Sequence, residues 1–293
     1  MTGQPVPTWA RVVAVVVGIM TALLLVPLVV AGVVSLASTA ARIDHTTSFD
    51  VGPAVHLQLD ARFGSVAVEA ARASRIVVHD RRSASAITRT AAATALSKFA
   101  VDVSHQGDQV VIRQDRALFS APEVNSDSTI TIEVPTRTDL DADNVGDLRI
   151  QGIDGTVHVR GAGSVELSGV TLRGTSLFDQ ALGDVQMSAV TVAGSAAVKK
   201  TVGDVRFDGR LAPGGAALDI QNRGGNVSVT LPRQTDARAV VTAQVGDFHP
   251  DRTWLFTPDT PVTPRRWTAD LGPSPTGTVT VRTDLGSVSF AGR

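Results

Sequence analysis

From Phe49 onward, apolar and polar residues alternate along most of the chain. Val55, Leu57 and Leu59 are interleaved with His56, Gln58 and Asp60, and Val185 and Met187 with Asp184 and Gln186. A period of two is that of a strand with one buried face. Between Ser164 and Gly214 the pattern also repeats about every twenty residues: Ser168 to Gly174 returns as Ser188 to Gly194, and Gly183-Asp184-Val185-Gln186-Met187 as Gly203-Asp204-Val205-Arg206-Phe207. A single short strand unit cannot bury its apolar face, whereas stacked copies bury a continuous core. The pattern therefore predicts an all-β protein, a flattened β-solenoid of roughly twenty-residue coils with two strands per coil. Val165, Leu167, Val185, Met187, Val205, Phe207, Val227 and Val229 are expected to line one wall of its core. Glycines at 146, 155, 163, 174, 183, 194, 203, 215 and 225 punctuate the strands and mark the turns.

Two stretches break the period. Ser83 to Ser97, rich in alanine and free of Gly and Pro, predicts one short helix near 83–97. Val12 to Leu36 carries no charged residue and at helical rise is long enough to cross the roughly 30 Å of bilayer hydrocarbon. It is read as a transmembrane helix over 12–37, after a cytoplasmic tail of 1–11, and its expected partner is the lipid bilayer. A cleaved signal peptide ending near Ser38 or Ala40 is the rival reading. Arg11 before the span places the tail inside and the rest of the chain on the extracytoplasmic side. The expected organisation continues with a linker at 38–48, a β-rich N-terminal cap region at 49–135, repeats at 136–248, a Pro/Trp-containing loop or cap at 249–276, and a final coil at 277–293. The aromatics of that loop, Trp254, Phe256 and Trp267, would close the open end of the stack or, alternatively, form a platform for sugars.

The 27 basic and 28 acidic residues nearly cancel, so no overall charge field favours nucleic acid. The absence of cysteine removes disulfides, thiolate zinc sites and cysteine catalysis from consideration.

The N-terminal anchor, the unit Gly64-Ser65-Val66-Ala67-Val68, the strand closed by Val134-Pro135, the serial Gly-Asp-Val units, and Gly225 to Pro232 followed by Gly246-Asp247-Phe248 occur in a characteristic order. In these features the chain resembles a bacterial family of exported β-strand-repeat proteins of unassigned function, often labelled "putative adhesin". The resemblance implies a β-solenoid outside the membrane.

Candidate chemistry is sparse. Asp184 and Asp204 should stack about 4.8 Å apart in adjacent coils, an arrangement that raises calcium binding. Ser164 and Asn226 interrupt that column, and turn capping is the simpler reading, as it is for Asp147 and Asp247. Asp179 and Lys199 should meet across neighbouring strands, and Glu166, Gln186, Arg206 and Ser228 should form a mixed outward column. The histidines at 45, 56, 79, 105, 158 and 249 are scattered, with none at metal-ligand spacing from another. No catalytic, cofactor-binding or metal residue is assigned, and no cofactor is expected. The sequence thus points to a membrane-anchored, non-catalytic module for interaction, adhesion or envelope sensing, directed at an envelope protein or glycan. A tethered scaffold assembling through solenoid ends, or less readily a polysaccharide-active enzyme, is the alternative.

Overall fold

The computed structural model describes residues 39–61, 64–97, 99–116, 125–161, 163–260 and 264–293. The expected span from Val12 to Leu36 lies outside them, and among the described residues no helix is long and apolar enough to cross a membrane.

Two long sheets face each other across a thin core, one of 13 strands and one of 12. Their interiors are parallel throughout. In the first sheet Asp147–Gln151, Val165–Ser168, Val185–Val192, Val205–Leu211 and Val227–Leu231 lie side by side, and in the second Arg137–Val145, Val157–Gly161, Thr175–Gln180, Ser195–Val202 and Ala217–Gly224 do the same. The chain climbs one coil at a time, crossing from one sheet to the other at each turn. Val165, Val185, Val205 and Val227 are successive register partners, as are Leu167, Met187, Phe207 and Val229. All eight are buried. Strands with one face on a neighbouring sheet and the other in water need this alternation. It is the flattened solenoid that the period predicts.

Stacking order departs from chain order at both ends. Gly277–Leu285 and Val288–Gly292, expected to be the last coil, are inserted beside Ala217–Gly224 and Val227–Leu231. The earlier segments Ala237–Val245 and Phe248–Pro250 pair outside them. At the other end Ala54–Ala61 and Ser65–Ala71 lie against the repeats, while the later Gln109–Arg116 and Asn125–Pro135 stack outside. Local alternation sets which side chains face inward, but it is the same in every coil and leaves the neighbour unspecified.

Beyond these coils the pairing turns antiparallel, except in the 13-stranded sheet at the far end, which stops at the short parallel strand Phe248–Pro250. Thr39–Asp50 pairs with Arg75–Ala86, which corrects the expected linker at 38–48. Its pattern is that of an edge strand: Ala41 and Ile43 pack against Ala84, Ala95 and Leu96, while the intervening Arg42 and Asp44 are exposed. Charges along a free edge discourage pairing with another chain. The helix begins later than 83, at Arg89–Ser97, because the preceding strand runs on to Ala86. Thr88 starts it, its Oγ1 accepting from the Ala91 amide at 3.1 Å. The hairpin Phe99–Gln106 with Gln109–Arg116 closes the second sheet on this side.

At the far end Arg265–Asp270 runs antiparallel to Ala237–Val245, with Thr257–Thr260 outside it. The aromatics of this stretch pack on one another. Phe248 lies 4.9 Å from both Phe256 and Trp267, and Phe290 lies 5.6 Å from Trp254 and 5.2 Å from Phe256, ring to ring. Trp254 is buried and its Nε1 donates to the Leu271 carbonyl at 3.1 Å. Rings engaged in this way cover the end of the stack. Asp251 ties the cap to the chain end, accepting from the amides of Gly292 (2.7 Å) and Thr253 (2.8 Å) and from the Thr253 hydroxyl (2.9 Å). Burial pushes its carboxyl up, but these bonds outweigh burial and hold it below the ordinary value.

Candidate functional site

Because the strands are parallel and in register, outward residues form straight rows. The row on the first sheet runs Ala67, Arg149, Glu166, Gln186, Arg206, Ser228, Ser289, His249. At the spacing of neighbouring strands it spans roughly 34 Å. Two shallow grooves follow it. One of about 530 Å³ is lined by Ala67, Arg149, Glu166 and Gln186, and one of about 330 Å³ by Gln186, Arg206, Ser228, Ser289 and His249. They share Asp184 and Gln186, so they form one continuous surface. Arg149 and Glu166 pair within it at 3.1 Å. The mixed column expected from sequence is thus part of a longer row, extended by the out-of-order coil that contributes Ser289 and by the outer strand that contributes His249.

The stacked turns carry a ladder along one edge of this surface. The Ser164 amide donates to Asp147 Oδ1 (3.0 Å), Asp184 N to Ser164 Oγ (3.4 Å), Asp204 N to Asp184 Oδ1 (2.9 Å), Asn226 N to Asp204 Oδ1 (2.8 Å) and Ser287 N to Asn226 Oδ1 (3.1 Å). Ser164 and Asn226, which interrupt the column of carboxylates, continue the column of acceptors. Each carboxylate therefore receives a backbone donor from the next coil, which lowers the cost of stacking like charges. Among the described residues no group of three His, Asp or Glu side chains is placed to hold a metal ion.

Folding gathers two histidines that look scattered in the sequence. On the second sheet Asp141 stands between His56 and His158, its Oδ2 at 3.1 Å from His56 Nε2 and its Oδ1 at 2.9 Å from His158 Nδ1. His158 Nε2 lies 2.8 Å from the Thr175 carbonyl, so both of its nitrogens are engaged. The cluster joins four neighbouring strands as a cross-strand staple. Elsewhere His79 contacts Thr46 at 3.1 Å and Glu133 at 3.7 Å, and the His105 ring packs on Phe49 at 4.7 Å. Asp179 and Lys199 are register partners as expected.

A second polar column was missed, and it runs inside. Gln180, Lys200, Asn222 and Thr283 are successive register partners and all are buried. The signal was present: each follows by two an inward apolar residue, respectively Phe178, Val198, Ile220 and Val281. Asn222 Nδ2 donates to the Gly203 carbonyl at 3.1 Å, but Asn222 Oδ1, Thr283 Oγ1 and Lys200 Nζ have no hydrogen-bond partner. Burial drives the Lys200 amine below its usual value, with Asp184 only partly opposing. The unfolded chain then holds this proton to higher pH than the folded one. Stability should accordingly rise with pH between the lowered folded value and about 10.5. Lys200→Met, which keeps the length and removes the charge, is expected to melt at higher temperature than the parent at neutral pH and to lose that alkaline gain. Melting curves from neutral to alkaline pH check both; a lower melting temperature for the variant would contradict the buried, unpaired amine.

No family model matches the chain, and no curated protein matches it. Solved structures do. A putative cell adhesion protein from Clostridium sporogenes ATCC 15579 is 10% identical, with 86% of this chain and 100% of that one covered at a TM-score of 0.38. A putative adhesin from Bacteroides fragilis NCTC 9343 is 14% identical over 85% and 97%, at 0.39. Another from Parabacteroides distasonis ATCC 8503 is 10% identical over 85% and 97%, at 0.31. These are bacterial proteins of the kind the sequence resembles.

Proposed function

We propose that this chain is a membrane-anchored, non-catalytic interaction module, displayed outside the cytoplasmic membrane and offering the outer face of its 13-stranded sheet to an envelope protein or glycan. One observation carries the reading: an uninterrupted outward row from Ala67 to His249, bordered by an open, continuous groove. A parallel stack fixes each side chain at a regular interval, so an extended partner meets a surface already ordered and the entropic cost of association is reduced. The turn carboxylates along its edge accept backbone amides, and on the opposite sheet the His56–Asp141–His158 cluster staples strands.

The scaffold reading has less support. Assembly through solenoid ends needs long open parallel edges, whereas one end turns antiparallel in both sheets behind a charged edge strand, and the other turns antiparallel in one sheet and keeps in the other only the three-residue parallel edge Phe248–Pro250, whose Phe248 packs on Phe256 and Trp267. The test is protease accessibility in intact and permeabilised cells, with a chain lacking residues 12–36 as control. Digestion in intact cells is the expected result. Protection until permeabilisation would overturn the extracytoplasmic module and leave a cytoplasmic tethered scaffold as the reading to pursue.

A further inference from the structure

The residue preceding each stacked glycine falls on one corner of the solenoid. These residues are Leu182, Val202, Gly224, Leu285 and Val245 in stacking order, since Gly183, Gly203, Gly225, Gly286 and Gly246 lie over one another. Leu182, Val202, Leu285 and Val245 are each more than half exposed. They are four of the six large apolar side chains exposed among the described residues. An aligned apolar ridge of this kind is unlike the scattered single residues of an ordinary surface.

Beside the ridge lies a pocket of about 460 Å³ in which the exposed cations Lys199, Arg223 and Arg282 face Asp179 and Asp284. Thr201, Asp284 and Gln244, also in its lining, immediately precede the ridge residues Val202, Leu285 and Val245.

We infer that this corner binds an anionic amphiphile, its charged head in the pocket against Lys199, Arg223 and Arg282 and its apolar part along the Leu182–Val245 ridge. The pocket supplies the excess positive charge that an anionic head requires, and the ridge supplies aliphatic contact that a free anion would not use. The site is separate from the outward row and does not depend on which partner that row takes.

The test is native mass spectrometry of the full chain in a neutral detergent, with short-chain phosphatidylglycerol as probe and phosphatidylcholine of the same chain length and inorganic phosphate as comparisons. One equivalent of phosphatidylglycerol should be retained, with the two comparisons held about tenfold more weakly. The pair Arg223→Gln/Arg282→Gln and the pair Val202→Ser/Leu285→Ser should each lower retention by about tenfold. Thermal melts of the same preparations should show both variants folded. Retention unchanged in both variants would overturn the inference, as would inorganic phosphate binding as tightly as the amphiphile, which would make this a bare anion site. Neither result bears on protease accessibility, so failure here and failure of the interaction module are read separately.

Discussion

Val205→Asp is expected to abolish the cooperative unfolding of the repeat region. Val205 is 1% exposed, with Val185 and Val227 as its register partners on either side. A carboxylate placed there has only apolar neighbours in its row and no water. An uncompensated buried charge costs several kcal/mol, about 3–5 by the measure of broken buried pairs, against a total stability of about 5–15 kcal/mol for a typical domain. The architecture magnifies the damage. In a stack each coil is held by its neighbours alone, so a defect at the middle separates two shorter stacks, each with a new open edge. Circular dichroism on heating should show a lost or split transition, easing at low pH where the new carboxyl is neutral. A sharp, unchanged melt would contradict the inward placement of Val205.

Gly203→Val should be comparably disruptive for a different reason. Gly203 has φ +134°, a region L side chains rarely adopt, and a Cβ on it would overlap the Gly183 carbonyl oxygen of the coil beneath. The backbone term alone is worth about 1–3 kcal/mol, and the overlap adds to it because the obstacle is backbone in a close-packed column. Gly107→Ala separates the two effects. Gly107 also has positive φ (+60°), but it sits in a hairpin turn where an added Cβ meets nothing within 4 Å. The expected order of melting temperatures is parent, then Gly107→Ala, then Gly203→Ala, with Gly203→Val lowest. Equal losses for the two alanine variants would mean that the glycine column reflects turn conformation only and not the contact between coils.

These two variants also show what the sequence carries and what it does not. The inner wall was readable because Val205 and its counterparts repeat at period two within a strand and about twenty between coils, and burial allows no other phase. The turns were readable because glycine and short polar acceptors recur where the chain must change direction. The Gln180–Lys200–Asn222–Thr283 column obeys the same phase, but a polar residue at the end of a strand reads equally as the start of a turn. Coil order was hidden for a physical reason. Val288–Gly292 and Phe248–Pro250 are both short pieces able to pair with a parallel edge, and nothing local determines which lies against Val227–Leu231. The His56–Asp141–His158 staple was hidden likewise, since it exists only once Ala54–Ala61 is placed beside Arg137–Val145.

The stacking order is therefore the claim on which the outward row, the glycine column and the corner ridge all depend. Since the chain contains no cysteine, introduced pairs can be read without background. Ser289 is the register partner of both Ser228 and His249, while Ser228 and His249 stand two strands apart. Paired cysteines at 228 and 289, and at 249 and 289, should be joined rapidly by a short thiol cross-linker, and the pair at 228 and 249 slowly if at all. Rapid joining of 228 to 249 together with failure of 228 to 289 would return the coils to chain order and contradict the account.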